Sequence, residues 1–456
     1  MKRLSLLLLS LSIFSCQQKE EKPDYSIIKG KVENNTAETA LIQGHDFEAR
    51  IPISEDGTFT DTLRLKKDGL YQIFIGRERT GVYLEKGQNL ELSLNADEFD
   101  ETLKYSGDLG SSNNFLAEKY LWEETNTDYK KLYSLSEEDF FKQLDSDQKR
   151  MDSLYATHQI KNEMFDKMLK EDNIYSRAAL IENYQDAHRY YSGVEDYQVG
   201  SDFYNDLKGI NYQDTLAFRN SMAYRSLLEI HYNRVANDET YESGNDNHTL
   251  LYLKKVDSAL PDGFAKDNLM MGHLQFWLKP DETLDEAYEI YKNSNPDPEN
   301  LAELTQRYNQ LKSLTAGNDS PTFDYENFKG GTTSLADLKG KYVYIDVWAT
   351  WCGPCLREIP SLKEVEKDYS GKNIQIVSIS IDEEKDYDKW KQMVKDKSLG
   401  GMQLMADNNW NSKFVKDYAI LGIPRFILLD PKGQIVSADA PRPSDPELRK
   451  MLDALL

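Results

Sequence analysis

The chain has 456 residues, of which 39% are hydrophobic and 11% aromatic, with 28 tyrosines. It is too long for one ordinary domain and too rich in aromatic residues to be disordered, so two or three packed domains are expected. A formal net charge of −23 argues against nucleic acid and against an anionic membrane surface as direct ligands.

The N-terminus opens with Met1-Lys2-Arg3 and an apolar run, Leu4 to Ser15, that is too short to span a bilayer comfortably. The small residue Ser15 then meets Cys16. This arrangement resembles a bacterial lipoprotein signal, which implies a signal peptide over 1–15, cleavage before Cys16 and acylation of its thiol. Residues 16–25 would be a lipidated tether. Its acidic residues Glu20 and Glu21 resemble a surface-export signal of some Bacteroidetes lipoproteins. The expected location is the cell envelope, lipid-anchored on the periplasmic side, with surface exposure as the alternative. Disulfides form and persist in either place.

Residues 26–108 read as a β domain. Ser26–Val32 and Glu48–Ile53 are short and alternate in polarity. Glu55-Asp56-Gly57 reads as a hairpin turn into Thr58–Leu63, and Leu70–Ile75, Val82–Leu84 and Leu90–Leu94 follow. Strands at this spacing predict a small antiparallel β-sandwich. His45 within it is isolated and is expected to be structural or on the surface.

From 109 to 314 the period becomes helical. Ser136, followed by Glu137, Glu138 and Asp139, reads as a helix start, and Phe140, Phe141, Leu144, Met151 and Leu154 then recur on one face. No fixed repeat is evident, so an irregular α-helical middle domain is expected. His158, His188, His231, His248 and His273 are scattered and form no metal-ligand pattern. Thr315–Pro321 is polar and turn-forming and reads as a linker.

Residues 315–456 alternate strands and helices, which calls for an α/β sheet covered on both faces. The strand Tyr342–Trp348 runs into Trp351-Cys352-Gly353-Pro354-Cys355 at the start of a helix. Two residues between the cysteines allow a small disulfide ring, with the first thiol at a helix N-terminus, where free N–H groups and the helix dipole favour a thiolate. Half a zinc site has the same spacing. Here no second cysteine pair exists and no histidine follows His273, so a four-ligand site cannot be assembled locally. A dithiol redox centre is the better reading. A final helix is expected from a Ser444/Glu447 capping box.

With Asp346 ahead of the Cys-Gly-Pro-Cys motif, Glu358 and Pro360 behind it, and Gly422-Ile423-Pro424 before a later strand, residues 318–456 resemble the thioredoxin superfamily. Within it the match is to TlpA/ResA-like thiol-disulfide oxidoreductases. The order β-rich domain, helices, thioredoxin resembles a common Bacteroidetes lipoprotein layout. The resemblance implies no cofactor beyond the two sulfurs. Cys352 would be an exposed nucleophile and Cys355 a less exposed resolving thiol. Asp346 would be a buried acid moving the proton of Cys355, and Glu358 an acid beside the site. Pro424 would be the family's cis-proline, with the Ile423 backbone pairing with an extended substrate as in β-augmentation. Trp351 would shield the disulfide as a rim residue. Arg425 stands where many thioredoxins carry Thr, and a fixed charge there could favour acidic substrates or lower a thiol pKa.

Gly353-Pro354 is the dipeptide of strongly reducing members. Potentials in the superfamily span about 150 mV, roughly 7 kcal/mol for two electrons. The expected activity is reduction of disulfides in cell-envelope proteins, with re-reduction by a membrane electron donor. The alternatives are an envelope binding lipoprotein whose redox domain is accessory, and a peroxiredoxin-like peroxidase.

Overall fold

A computed structural model describes residues 23–44, 47–244 and 247–456. Cys16, the signal segment, the tether up to residue 22 and His45 lie outside the described residues. Among the described residues no helix is long and apolar enough to cross a membrane.

The β-rich part contains β1 (Ser26–Glu33), β2 (Thr39–Gly44), β3 (Phe47–Pro52), β4 (Thr58–Leu63), β5 (Gly69–Ile75), β6 (Glu78–Leu84) and β7 (Leu90–Asn95). One helical turn, α1 (Phe99–Thr102), then precedes β8 (Lys104–Ser106). The strands form two four-stranded sheets, ordered β4-β1-β7-β8 and β3-β2-β5-β6. Alternate residues such as Ile28, Val32, Ile42, Ile73 and Leu92 point into one shared apolar cluster, which is why these strands read as alternating. Two expectations change. Pairing is not wholly antiparallel, because β1 and β7 run parallel, which the five intervening strands permit. The Glu55-Asp56-Gly57 turn does not close a hairpin: β3 pairs with β2, and β4 pairs with β1 in the other sheet. Gly57 adopts φ +81° there, and a Cβ on it would strike the Val32 carbonyl.

Helices follow: α2 (Gly110–Asn126), α3 (Tyr129–Tyr133), α4 (Glu137–Thr157), α5 (Glu163–Ser192), α6 (Thr215–Asn220), α7 (Met222–Ser243), α8 (His248–Ala259), α9 (Phe264–Trp277), α10 (Leu284–Asn293) and α11 (Pro298–Lys312). α4 begins at Ser136, whose side chain accepts the Asp139 N–H, and it buries Phe140, Leu144 and Met151. Two compact units emerge from the contacts. Among the described residues, one comprises those up to 209 with 220–227, the other 210–219 with those from 228 to 456, so the helical stretch is shared between them.

The second unit holds a seven-stranded sheet, ordered β10-β9-β13-β12-β11-β14-β15. Its strands are β9 (Asp324–Asn327), β10 (Thr332–Ser334), β11 (Tyr342–Trp348), β12 (Ile374–Ser380), β13 (Met402–Met405), β14 (Arg425–Leu429) and β15 (Ile435–Ser437). The accompanying helices are α12 (Gly353–Asp368), α13 (Tyr387–Asp396), α14 (Lys413–Asp417) and α15 (Pro446–Leu455). β11, β12 and β13 are parallel, while β14 runs antiparallel to β11. β11 is buried on both faces from Val343 to Trp348, which accounts for its nearly continuous apolar sequence. Tyr344, Phe426 and Leu428 pack there with Leu362 and Val365 of α12 and with Leu448 and Leu452 of α15. Each such side chain contributes about 1.5–3 kcal/mol of burial.

Thr315–Pro321, read as a linker, is tied along the edge of this sheet. Gly317 N–H donates to the Ile435 carbonyl, Ile435 N–H to Asn318, and Ser320 N–H to Gly433. Polar turn residues suit an edge as well as a linker, because backbone pairing ignores side-chain type. α15 is capped by Asp445, which accepts the Glu447 N–H at 2.9 Å, with Pro446 in the first turn. The expected Ser444 cap is engaged elsewhere. The C-terminal ends of the preceding helices also meet this domain. Gln310 of α11 donates to the Lys416 carbonyl on α14 at 2.5 Å, and Lys279, just after α9, pairs with Asp439 at 2.9 Å.

Candidate active site

Cys352 sits at the N-cap of α12, and Cys355 lies one turn on. The two are disulfide-bonded, with Cα atoms 5.3 Å apart. Pro354 occupies the first turn of α12, where its missing N–H costs nothing. The Cys355 N–H donates to Cys352 Sγ at 3.1 Å. On reduction that N–H and the helix dipole would stabilise a thiolate on Cys352 rather than on Cys355. The Cys352 Sγ also lies 3.7 Å from the Ile423 carbonyl oxygen, and the Ile423–Pro424 bond is cis. Trp351 is half exposed at the rim, its ring centroid 6.4 Å from that of Trp410. The expectation of an exposed Cys352 beside a covered Cys355 needs revision, since the two are 4% and 5% accessible. The closed disulfide tucks Cys352 against the Ile423 loop, so attack on it requires approach along that loop.

The turn before the motif is held by a residue that sequence reasoning missed. Asp382, buried just past β12, accepts the Thr350 N–H at 3.0 and 3.1 Å and the Thr350 hydroxyl at 2.7 Å. The Ser380 hydroxyl donates to the same carboxylate at 2.7 Å. Its partner lies 32 residues away in sequence, so only its position after an apolar strand could have drawn notice.

Asp346 is buried on β11, and Asp346, Cys355, Glu366 and Gln403 line one small cavity under α12. Burial pushes its carboxyl up to about 7; a Ser378 hydrogen bond opposes the shift, while the charges of Glu358 and Glu366 add to it. Glu366 was also missed. Its carboxylate packs against Gly400 and Gly401, so that a Cβ on Gly400 would have to displace it, and burial raises its pKa while Lys363 lowers it. The Gln403 side-chain oxygen in this cavity is buried and has no hydrogen-bond partner among the described residues.

Glu358 and Arg425 do less at the sulfurs than their positions implied. Glu358 accepts the Ser444 N–H at 3.0 Å and the Ser444 hydroxyl at 2.9 Å, holding the entrance of α15 to α12. Arg425 pairs across the sheet with Val347, so it projects from the opposite face to Asp346. It is also not a free charge, because it forms an ion pair with Asp439 at 2.5 Å. Sequence position placed Arg425 beside Pro424 correctly and could not reveal a carboxylate 14 residues on.

Residues 316–438 match the AhpC/TSA family. The chain is 28% identical over 133 residues to the thiol-disulfide oxidoreductase ResA of Bacillus subtilis (strain 168), covering 27% of this chain and 67% of that protein. A candidate thiol-disulfide oxidoreductase of Bacteroides vulgatus, solved in solution, is 51% identical; the match covers 31% of this chain and 92% of that one, with a TM-score of 0.28. A thiol-disulfide oxidoreductase from Bacteroides fragilis NCTC 9343 is 30% identical, with coverage of 30% and 100% and a TM-score of 0.28. The family match and the curated relatives give one conclusion: the C-terminal part of the chain is a thioredoxin-like domain of the AhpC/TSA family, a TlpA/ResA-like thiol-disulfide oxidoreductase.

Proposed function

We propose that the protein is a lipid-anchored reductase of disulfides in cell-envelope proteins, working through Cys352 and Cys355. One observation carries this reading: Cys352 Sγ accepts an amide at the start of α12, while a carboxyl that titrates near neutrality lies in the cavity lined by Cys355. In the reduced protein the Cys352 thiolate attacks one sulfur of a client disulfide. That S–S bond breaks, a mixed disulfide forms and the first client sulfur leaves as a thiolate that takes up a proton. Asp346, as carboxylate, accepts the Cys355 proton, and the Cys355 thiolate attacks Cys352 Sγ. The second client sulfur leaves and is protonated, and the Cys352–Cys355 disulfide remains. Two electrons have passed to the client, and a membrane dithiol donor would restore them.

The Ile423 backbone, beside Cys352 Sγ, supports pairing with an extended client segment. Trp351 and Leu421, both exposed, would flank it. We assign the anchor to Cys16 on the signal-like sequence, which favours the periplasmic side of the envelope, and read the two β sheets as a sandwich serving as a spacer or client-binding module. A peroxidase is disfavoured, because the Thr350 hydroxyl is committed to Asp382 rather than available to a peroxide at Cys352.

The test is the reduction potential of the Cys352–Cys355 pair in the chain lacking residues 1–16, equilibrated against thiol buffers. A value near thioredoxin's, about −270 mV, supports the reductase. A value near −120 mV would make the protein a disulfide-forming enzyme instead.

A further inference from the structure

Resting on the reductase reading, we infer that Arg307 of α11, together with Lys279 and Arg425, forms a carboxylate-binding site beside the Ile423–Pro424 loop that selects client disulfides flanked by an acidic residue. Three cations lie close together there: two of them share one anion, and Arg307 neighbours Arg425. Asp439 pairs with Arg425 at 2.5 Å and with Lys279 at 2.9 Å. Among the described residues no carboxylate pairs with Arg307, and its Nε is buried without a hydrogen-bond acceptor. Burial and, after it, the nearby Arg425 guanidinium lower the pKa of Arg307, so its charge is held under strain of desolvation and repulsion. A half-buried guanidinium in that state is costly unless an anion completes it, and guanidinium matches a carboxylate with two parallel N–H donors.

The location gives the site its meaning. Arg425 lies two residues past Ile423, whose carbonyl oxygen is 3.7 Å from Cys352 Sγ. Two residues of extended chain span about 7 Å. A client strand laid along this loop, with its cysteine over Cys352, therefore brings a side chain two or three positions away to the Arg307 cluster. The chain's overall charge of −23 would by itself slow an acidic client relative to a neutral one. A preference for the acidic client is thus a signature of the local site.

The experiment uses the pre-reduced protein in single turnover against two disulfide-bonded peptides that differ only in Glu or Gln two residues from the attacked cysteine. The readout is the ratio of their second-order rate constants. The wild-type ratio is expected to favour Glu by about tenfold, which corresponds to about 1.4 kcal/mol, and to shrink as NaCl is raised. Arg307→Met should bring the ratio to about one or below, and Arg307→Lys should keep part of it. Asp439→Asn, which releases two cations from their shared partner, should increase it. Should Arg307→Met fail to fold, the wild-type salt dependence and the Lys variant carry the test. A wild-type ratio of one or less, with the Gln peptide still reduced in a Cys352-dependent way, overturns the site and leaves the reductase standing. An unchanged ratio in Arg307→Met overturns it as well. No reduction of either peptide overturns both.

Discussion

Asn113 and Asp346 are both buried polar side chains, one in the β-rich unit and one in the thioredoxin unit, and they are treated in opposite ways. Asn113 of α2 has its amide satisfied: it accepts the Tyr83 N–H at 2.7 Å and donates to the Tyr83 and Leu109 carbonyls, both at 3.0 Å. It stitches α2 to β6 and has no charge to change. Asp346 has no cationic partner among the described residues, and burial holds its carboxyl near 7. Nearby lie the Gln403 side-chain oxygen and the Trp348 indole N–H, both without a hydrogen-bond partner among the described residues. Where a buried polar group is fully satisfied it serves packing. Where it is left under-compensated beside a reactive sulfur, as the proposed mechanism requires of Asp346, it is available for proton transfer at some cost in stability.

The largest effect should come from the sulfur itself. Cys352→Ser is expected to lower disulfide reduction by a factor of about a thousand or more, read with the pre-reduced protein and a model disulfide. Cys355→Ser should instead accumulate a mixed disulfide with the client, seen on a non-reducing gel.

Asp346→Asn should separate stability from catalysis. Its folded-state pKa lies above the unfolded value of 3.8. Between about pH 4 and 7 the folded chain keeps a proton that the unfolded chain has released, so the stability this group confers falls as pH rises and is lost above 7. The Asn variant lacks that slope and is expected to be more stable than the wild type at pH 8, by on the order of 4 kcal/mol at most, with the difference vanishing near pH 4 in urea titrations. Its resolving step should slow by about a hundredfold at pH 7 and lose its dependence on a group titrating there. Equal stability at pH 8 and pH 4 would show that the carboxyl is not held neutral by burial.

Asn113→Leu should do the reverse. It leaves the Tyr83 N–H and carbonyl without their partner, while the Leu109 carbonyl keeps the backbone N–H of residue 113, and is expected to destabilise the β-rich unit by about 2–4 kcal/mol in denaturant unfolding. The Cys352–Cys355 potential should stay where it was. A shifted potential would mean the two regions do not behave as the comparison says. The smallest change is expected from Lys279→Met. Its ion pair with Asp439 is partly exposed, so thermal unfolding should register about 0.5 kcal/mol or less.

Much of the C-terminal domain, and part of the helical region before it, was legible because the signals are local. The two-residue spacing of Cys352 and Cys355, the apolar run of β11 and the Ser136 helix start each need only a few neighbouring residues to be recognised. The misreadings were of partners distant in sequence. Glu55-Asp56-Gly57 makes a turn whichever strand comes next, and only pairing shows that it crosses between sheets. Ser444 resembles a helix cap, but Glu358, 86 residues earlier, holds it. Arg425 resembles a free charge until Asp439 and Arg307 come beside it.

The sequence alone thus determined the chemistry: a two-cysteine centre at a helix start, with an acid on the strand leading to it. It could do so because thiol spacing, helix capping and strand burial are set by residues a few positions apart. Tertiary structure decided how that chemistry is tuned. The depth of Asp346, the clamp of Asp382 on Thr350, the pairing of Lys279 and Arg425 with Asp439, and the approach of Arg307 to Arg425 all depend on folding. Desolvation and charge coupling act through space, and the groups that produce them lie tens to more than a hundred residues apart in the chain.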